Sequence, residues 1–118
     1  MPAPASVSNS DMKYFDEMCR AMEFLARDER TIFLGQAVAC PGTAMSNTLK
    51  NVSRDKLLEM PVTEEMQMGM TNGLALGGHV PVSIYPRWNF LLLAVNQIVK
   101  RGIGHGSLEI QGSDVGCQ

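Results

Sequence analysis

The fold is decided by residues 57–85, LLEMPVTEEMQMGMTNGLALGGHVPVSIY. Residues 57–60 form a short apolar run that a proline ends, which predicts a strand. Residues 65–76 change to helical spacing, and the glycine pair after them is typical of the end of a helix. Residues 80–85 predict another strand. A strand, a helix and a strand in this order predict a parallel sheet with right-handed crossovers.

The flanking sequence extends the same alternation. A helix is predicted from Ser10 or Asp11 to the charged run at residues 27–30, followed by a buried strand at 31–34 that Gly35 ends. Residues 44–52 predict one or two helical turns, and 89–100 an apolar helix. The predicted fold class is therefore α/β, a small three-layer sandwich with a mainly parallel sheet. Its expected parts are a flexible tail (1–11), the domain (12–101) and a glycine-rich tail (102–118) with one strand candidate at 107–110.

Composition narrows the function classes. With 118 residues, 45% of them hydrophobic and 19% charged, the chain is typical of one small globular domain. A net charge of −2 without a basic cluster argues against a nucleic-acid partner. No apolar stretch approaches the ~20 residues of a membrane span, and the first ten residues do not resemble a secretory signal. We therefore expect a cytoplasmic protein without a membrane partner.

The usual metal-binding and nucleophilic residues give little signal. Three cysteines, an odd number without close spacing, argue against a closed disulfide set or a zinc site. We interpret His79 and His105 as ordinary loop histidines. The methionines at positions 66, 68 and 70 are interpreted as core or interface residues, because methionine commonly fills irregular apolar space. No metal ligand is therefore predicted.

Two features of the quoted stretch indicate a functional site. Glu64 stands where a strand changes to a helix, which places it at the carboxyl edge of a parallel sheet, where ligands collect. Gly69, Gly73 and Gly77 share one helix face at a cost of about 1 kcal/mol each relative to alanine, so we expect close contact with another helix. That helix could belong to the same chain or to a second copy. Alternatively, Glu64 is a first-turn acid favoured by the helix dipole, and the glycines serve internal packing.

Four segments together resemble a known family. They are ARDERTIFLGQ (26–36), PVTEEMQMGMTNGLALGG (61–78), VPVSI (80–84) and FLLLAVNQIV (90–99). The second is similar to the pattern Pro-[Ile/Val]-x-Glu-x4-Gly-x3-Gly-x3-Gly. Between residues 12 and 101 the chain resembles the beta subunits of 2-oxo acid dehydrogenase E1 components, at the start of their transketolase-like pyrimidine-binding domain.

The resemblance implies a role for several residues. In that family the glutamate at the place of Glu64 contacts N1′ of the aminopyrimidine of thiamin diphosphate, and the aromatic residue at the place of Phe90 packs against this ring. The face of Gly69, Gly73 and Gly77 corresponds to a subunit interface. Magnesium and the diphosphate are held by a Gly-Asp-Gly…Asn motif in a partner domain, which this sequence lacks. The expected partner is a second copy or an E1 alpha-like subunit, without which the chain is not expected to be a competent oxidoreductase component.

Some residues depart from the family. Asn96 replaces the usual aspartate before Gln-Ile, and Pro86-Arg87-Trp88 replaces an apolar segment. The later histidine-bearing loops and the C-terminal domain have no counterpart here. Three alternatives remain: a non-catalytic assembly module with the same fold, a transketolase-like or deoxyxylulose-phosphate-synthase-like split enzyme, and a flavodoxin-like nucleotide binder. The last lacks a phosphate-binding loop.

Overall fold

The computed structural model describes residues 9–99, and the side chains of residues 13–99. Helices and strands alternate along this part of the chain. In order they are α1 (Asn9–Ala26), β1 (Thr31–Gly35), α2 (Ala44–Thr48), β2 (Leu57–Glu59), α3 (Glu64–Leu76), β3 (Val80–Ile84), α4 (Trp88–Leu91) and α5 (Val95–Gln97). Single 3-10 turns precede β2 (Arg54–Lys56) and separate α4 from α5 (Leu92–Ala94).

The three strands form one parallel sheet in the order β2-β1-β3, which confirms the predicted α/β class. Phe33 at the centre of β1 pairs with Leu57 on one side and Val82 on the other. The chain moves from β1 to one edge and then returns across β1 to the other. Right-handed crossovers in opposite directions place the connecting helices α2 and α3 on opposite faces of the sheet.

One face of the sheet packs against α1 and α2. Phe33 is fully buried there, and Ile84 beside it is 2% exposed. Six buried residues form this core, and they are Met22, Phe33, Val38, Leu49, Val52 and Ile84. The short helix α2 begins with a capping box, in which the Thr43 hydroxyl accepts from the Ser46 N–H at 3.0 Å. Such a cap stabilises a helix too short to persist alone.

The opposite face packs against α3 and the two short helices that follow β3. A second core lies there, formed by Met68, Tyr85, Leu91 and Ala94, with Phe90 and Ile98 packed against it. Helices on both faces of the sheet give the three layers predicted from the sequence. None of the helices within residues 9–99 is long and apolar enough to cross a bilayer.

The structure corrects several boundaries and one helix. Helix α1 begins at Asn9, just before the predicted start at Ser10 or Asp11, and β2 and β3 end one residue earlier than predicted, at Glu59 and Ile84. The helix predicted over 89–100 is wrong as one continuous element, because a 3-10 turn divides it into α4 and α5. Leu91 and Ala94, the buried residues of this segment, are three apart, which matches the three-residue repeat of a 3-10 turn. Residues 1–8 and 100–118, including the strand predicted at 107–110, lie outside the described part.

Candidate functional site

At the carboxyl edge of the sheet, the ends of β1 and β3 approach each other closely. Gly35 ends β1 beside the end of β3, and a Cβ at this position would lie 2.2 Å from the carbonyl oxygen of Ile84. No side chain fits in that distance, so only glycine lets the two strands approach in this way. The connections after β1 and β3 leave this edge in different directions, which makes it the place where ligands of parallel α/β proteins collect.

A buried glutamine joins α3 to this edge. Gln67 is 1% exposed, and its Nε2 lies 2.9 Å from Ser83 Oγ, 3.0 Å from the Ile84 carbonyl and 3.3 Å from the Leu34 carbonyl. An amide nitrogen has two hydrogens, so it donates to two of these acceptors at a time. Sequence reasoning missed Gln67, although an amide inside the run Met-Gln-Met was a signal that a buried polar contact was needed.

Three glutamates lie near this edge, and two of them already have hydrogen-bond partners. The Glu59 carboxylate accepts from the backbone N–H groups of Ala37 at 2.6 Å and Ala39 at 2.8 Å. This contact stabilises the loop after β1, in which Ala37 has a positive φ of 60°. Glu65 accepts from Asn96 Nδ2 at 2.8 Å and from Gln97 Nε2 at 3.4 Å. Both carboxylates therefore stabilise the fold.

Glu64 is the third acid, and it lies where the sequence predicted, just beyond the carboxyl end of β2. It is the first residue of α3 and is half-buried. Its backbone carbonyl accepts from the Tyr85 hydroxyl at 3.4 Å. Within residues 13–99 no side-chain or backbone donor is bonded to its carboxylate, so this is the acid that remains available to a ligand. The helix N-terminus favours its negative charge.

Glu64 lines an open cleft of about 850 Å³ between α3 and the segment after β3. The polar rim comes from the first turn of α3, and the rest of the surface is mainly apolar. The lining residues are Thr63, Glu64, Glu65, Met66, Gly69, Met70, Leu93 and Gln97. None of them is cationic. An acid beside apolar surface suits a flat, hydrogen-bonding ligand better than an anion.

Phe90 lies on the same face of the sheet as Glu64 but does not line this cleft. It is half-buried and packs against the core that contains Tyr85, whose hydroxyl contacts the Glu64 carbonyl. The two predicted site residues therefore lie on one face of the sheet, but only Glu64 lines the cleft.

The electrostatics of this edge involve Tyr85. Burial raises the pKa of its phenol, a hydrogen bond with Ser83 opposes part of that increase, and the negative charge of Glu64 raises the pKa further. The phenol therefore keeps its proton at neutral pH and acts as a donor.

The three glycines of α3 have different surroundings. Gly69 faces Gln97, whose side chain lies 3.9 Å from a Cβ built on this glycine. Gly73 is exposed, with nothing within 4 Å of such an atom. Gly77 is the C-cap of the helix. Within the described chain, therefore, Gly69 contacts the segment after β3 and Gly73 contacts nothing.

The remaining candidates lie apart from this edge. His79 is exposed after α3, and residues 100–118, with His105 and Cys117, lie outside the described part. Cys19 is buried and Cys40 is exposed, and neither is in a disulfide within the described chain. Among the described residues, no group of three or more histidine, cysteine or acidic side chains could hold a metal ion.

Comparison with known proteins gives three partial similarities, while no protein-family model matches the chain. It is 35% identical over 78 residues to the mitochondrial pyruvate dehydrogenase E1 component subunit beta of Drosophila melanogaster. It is 30% identical over 80 residues to the protein of the same name from Dictyostelium discoideum. It is 30% identical over 94 residues to the 2-oxoisovalerate dehydrogenase subunit beta of Bacillus subtilis (strain 168).

These matches differ greatly in how much of each protein they cover. They include 64%, 65% and 76% of this chain but 21%, 22% and 29% of the three relatives. The chain thus spans less than a third of the length of the proteins it matches. The similarity supports a relationship to the beta subunits of 2-oxo acid dehydrogenases.

Proposed function

We propose that this chain is a beta-type subunit of a thiamin-diphosphate-dependent 2-oxo acid dehydrogenase, or part of one, and that it supplies Glu64 and Phe90 to the aminopyrimidine ring. The observation that carries the proposal is the position of Glu64. Of three acids near the carboxyl edge it is the one without a donor on its carboxylate within the described chain, and it lines the cleft. The similarity to beta subunits of this class supports the same assignment.

The residues of the cleft fit the pyrimidine part of the cofactor. The ring nitrogen and the amino group of the pyrimidine can form hydrogen bonds with a carboxyl group, and the aromatic ring packs against apolar surface. Glu64 supplies the carboxylate, Met66, Met70 and Leu93 supply apolar surface, and Phe90 packs nearby on the same face. Among the described residues no cationic side chain lines the cleft, and the sequence lacks the Gly-Asp-Gly…Asn motif, so magnesium and the diphosphate would be held by a partner chain.

The chain's own contribution to the reaction is orientation and proton exchange. Thiamin diphosphate, when bound, stabilises the carbanion that decarboxylation of a 2-oxo acid produces. Glu64 would share a proton with N1′ of the pyrimidine, because a carboxylate beside a ring nitrogen can both accept and donate it. Phe90, which lies outside the lining of the cleft, would have to turn toward the ring in order to pack against it. The partner is an E1 alpha-like subunit, and we propose that the chain has no 2-oxo acid decarboxylase activity alone.

Binding of the pyrimidine fragment tests this assignment directly. We expect 4-amino-5-hydroxymethyl-2-methylpyrimidine to shift the amide NMR signals of residues 63–70 in the full chain, and Glu64→Gln to abolish these shifts. Glu29→Gln, at an exposed site after α1, is the matched control and should retain them. Equal shifts in wild type and Glu64→Gln, or none in wild type, would contradict the assignment. The same preparation with thiamin diphosphate, magnesium and pyruvate should show no turnover.

A second candidate is a non-catalytic assembly module, which the exposed surface of α3 favours. Within the described residues a Cβ at Gly73 would meet no atom within 4 Å, and Met66 and Met70 on the same helix are 48% and 37% exposed. A helix face without side chains, flanked by methionines, suits close approach of another helix. This candidate requires self-association without pyrimidine binding, so the fragment experiment distinguishes it from the first.

A further inference from the structure

The first turn of α3, which carries Glu64, lacks an ordinary helix cap. Thr63 precedes the helix, but its side chain makes no capping hydrogen bond. Helix ends without caps fray, because their first N–H groups have no partner within the helix. The turn that presents Glu64 must therefore be held against the sheet by other contacts.

Gln67 supplies the first of these contacts. Its backbone N–H donates to the Thr63 carbonyl at 2.9 Å, which closes the first turn. Its side chain reaches in the other direction, to Ser83 and the Ile84 carbonyl at the end of β3. One buried residue therefore connects the turn to the strand.

Tyr85 supplies the second contact from the strand side. It directly follows β3, is 3% exposed, and donates its hydroxyl to the Glu64 carbonyl at 3.4 Å. Burial raises the pKa of this phenol, and so does the charge of Glu64, although a hydrogen bond with Ser83 lowers it in part. The hydroxyl therefore remains a donor through the neutral range, and the Glu64 carboxylate lies within its electrostatic reach.

We propose that Gln67 and Tyr85 are positioning residues for Glu64, holding the first turn of α3 on the carboxyl edge through Ser83 and β3. The inference rests on the proposed function of Glu64. Proton sharing with a ring nitrogen requires a carboxylate held within about 0.5 Å of its productive position. Gln67 and Tyr85 fix the backbone from which the Glu64 side chain extends, and the bound ring completes the position of the carboxylate.

Hydrogen exchange tests, without any ligand, whether Tyr85 holds the first turn of α3. The chain has two tyrosines, and Tyr14 is 72% exposed, so Tyr14→Phe is a matched control for Tyr85→Phe. In the full chain, Tyr85→Phe should speed exchange of the Gln67 amide by about threefold to tenfold, the equivalent of one lost hydrogen bond. The Leu34 amide in β1 should be unaffected, and Tyr14→Phe should change neither. An unchanged Gln67 amide in folded Tyr85→Phe would overturn the proposal.

A second measurement is the pKa of Tyr85, which depends on the charge of Glu64 and not only on how the ring packs. In a Tyr14→Phe background, absorbance near 295 nm reports the ionisation of Tyr85 alone. Glu64→Gln should lower the pKa of Tyr85, whereas Glu29→Gln should leave it unchanged. A Tyr85 pKa that is the same in wild type and Glu64→Gln would overturn the proposed position of the Glu64 carboxylate beside this phenol, even if Tyr85→Phe does not fold.

The pyrimidine fragment separates this proposal from the function of Glu64. If wild type binds the fragment, Tyr85→Phe should weaken binding about threefold or more, and equal binding would overturn the positioning role. If wild type does not bind it, the proposed function fails and the role toward the pyrimidine fails with it. The exchange and titration results would still show whether Gln67 and Tyr85 hold the turn that carries Glu64.

Discussion

At the scale of single residues, one glycine and one acid show how small groups shape the carboxyl edge. Gly35 allows β1 and β3 to meet, because any Cβ there would overlap the Ile84 carbonyl. Glu59 accepts two backbone N–H groups and so shapes the loop after β1. Because the carboxylates of Glu59 and Glu65 already accept hydrogen bonds within the chain, Glu64 is the acid near this edge that is available to a ligand.

The close approach at Gly35 can be tested with a single methyl group. Gly35→Ala should lower the free energy of unfolding by about 2–4 kcal/mol, because the strands must separate to admit a Cβ 2.2 Å from a carbonyl oxygen. Gly73→Ala is the control, since its Cβ meets nothing and alanine favours a helix by up to about 1 kcal/mol. Urea denaturation measures both. A Gly35→Ala variant as stable as wild type would refute the argument.

Asp28, in the turn between α1 and β1, has a pH dependence of predictable sign. Side-chain and backbone hydrogen bonds from Arg30 lower the pKa of Asp28 from 3.8 to about 2. Because the folded pKa lies below the unfolded one, the carboxylate stabilises the fold above pH 3.8 and loses this effect as the pH falls toward about 2. The contribution is that of an exposed group and so is small.

A carbon-13 titration of the Asp28 carboxyl checks this value. The midpoint should lie near 2 in wild type and move toward 3.8 in Arg30→Gln, which removes the side-chain donor. Arg20→Gln, which breaks the exposed pair with Glu17 on α1, should not move it. A wild-type midpoint near 3.8 would show that the contact with Arg30 is absent in solution.

At the scale of secondary structure, the strands and α3 followed from local pattern, whereas the segment after β3 did not. All six residues from 90 to 95 are apolar, so the sequence predicts a helix there but does not specify which of its sides is buried. Packing on α3 buries Leu91 and Ala94 and leaves Leu92 and Leu93 exposed, and a 3-10 turn results. The buried amide of Gln67 was missed for a similar reason, because its partners are the Ser83 hydroxyl and the carbonyls of Leu34 and Ile84, which lie on strands distant in sequence.

The contact between α3 and α5 explains Asn96, which stands where the resembled family has aspartate. Asn96 donates to Glu65 at 2.8 Å, so an aspartate here would face another carboxylate. Asn96→Asp should lower the free energy of unfolding by about 0.5–1 kcal/mol at pH 7.

A double-mutant cycle isolates this pair. In a Glu65→Gln background, Asn96→Asp should cost little, because no charge opposes the new carboxylate. Denaturation at pH 7 of the four proteins gives the coupling. Equal losses in both backgrounds would mean that Asn96 acts through some contact other than Glu65.

At the scale of the whole molecule, the strands and helices within residues 9–99 leave much apolar surface exposed. In α3, just before it and in the segment after β3, the exposed apolar residues include Val62, Met66, Leu76, Trp88, Leu92 and Leu93. A domain of this size gains stability by covering such surface against a partner.

We therefore expect self-association through α3. Gly73 is bare and exposed, so a second helix can approach it closely, and a two-fold arrangement would close the contact. Sedimentation at high micromolar concentration should show a dimer that Gly73→Leu dissociates, because leucine fills the seam. Lys13→Leu, an exposed change on α1, is the control and should stay dimeric. A monomeric wild type, or a dimer that Gly73→Leu leaves intact, would contradict this interface.

The alternating pattern of residues 57–85 is local, and so it was sufficient to predict the parallel sheet, the crossover helix and a glutamate at the carboxyl edge. Periodicity and turn residues report which elements form because each acts over a few neighbours. The engagement of Glu59 and Glu65, the anchoring by Gln67 and Tyr85, and the separate environments of Gly69 and Gly73 became visible only in the tertiary structure. Each depends on contacts between residues distant in the chain, and a one-dimensional pattern does not encode which distant groups meet.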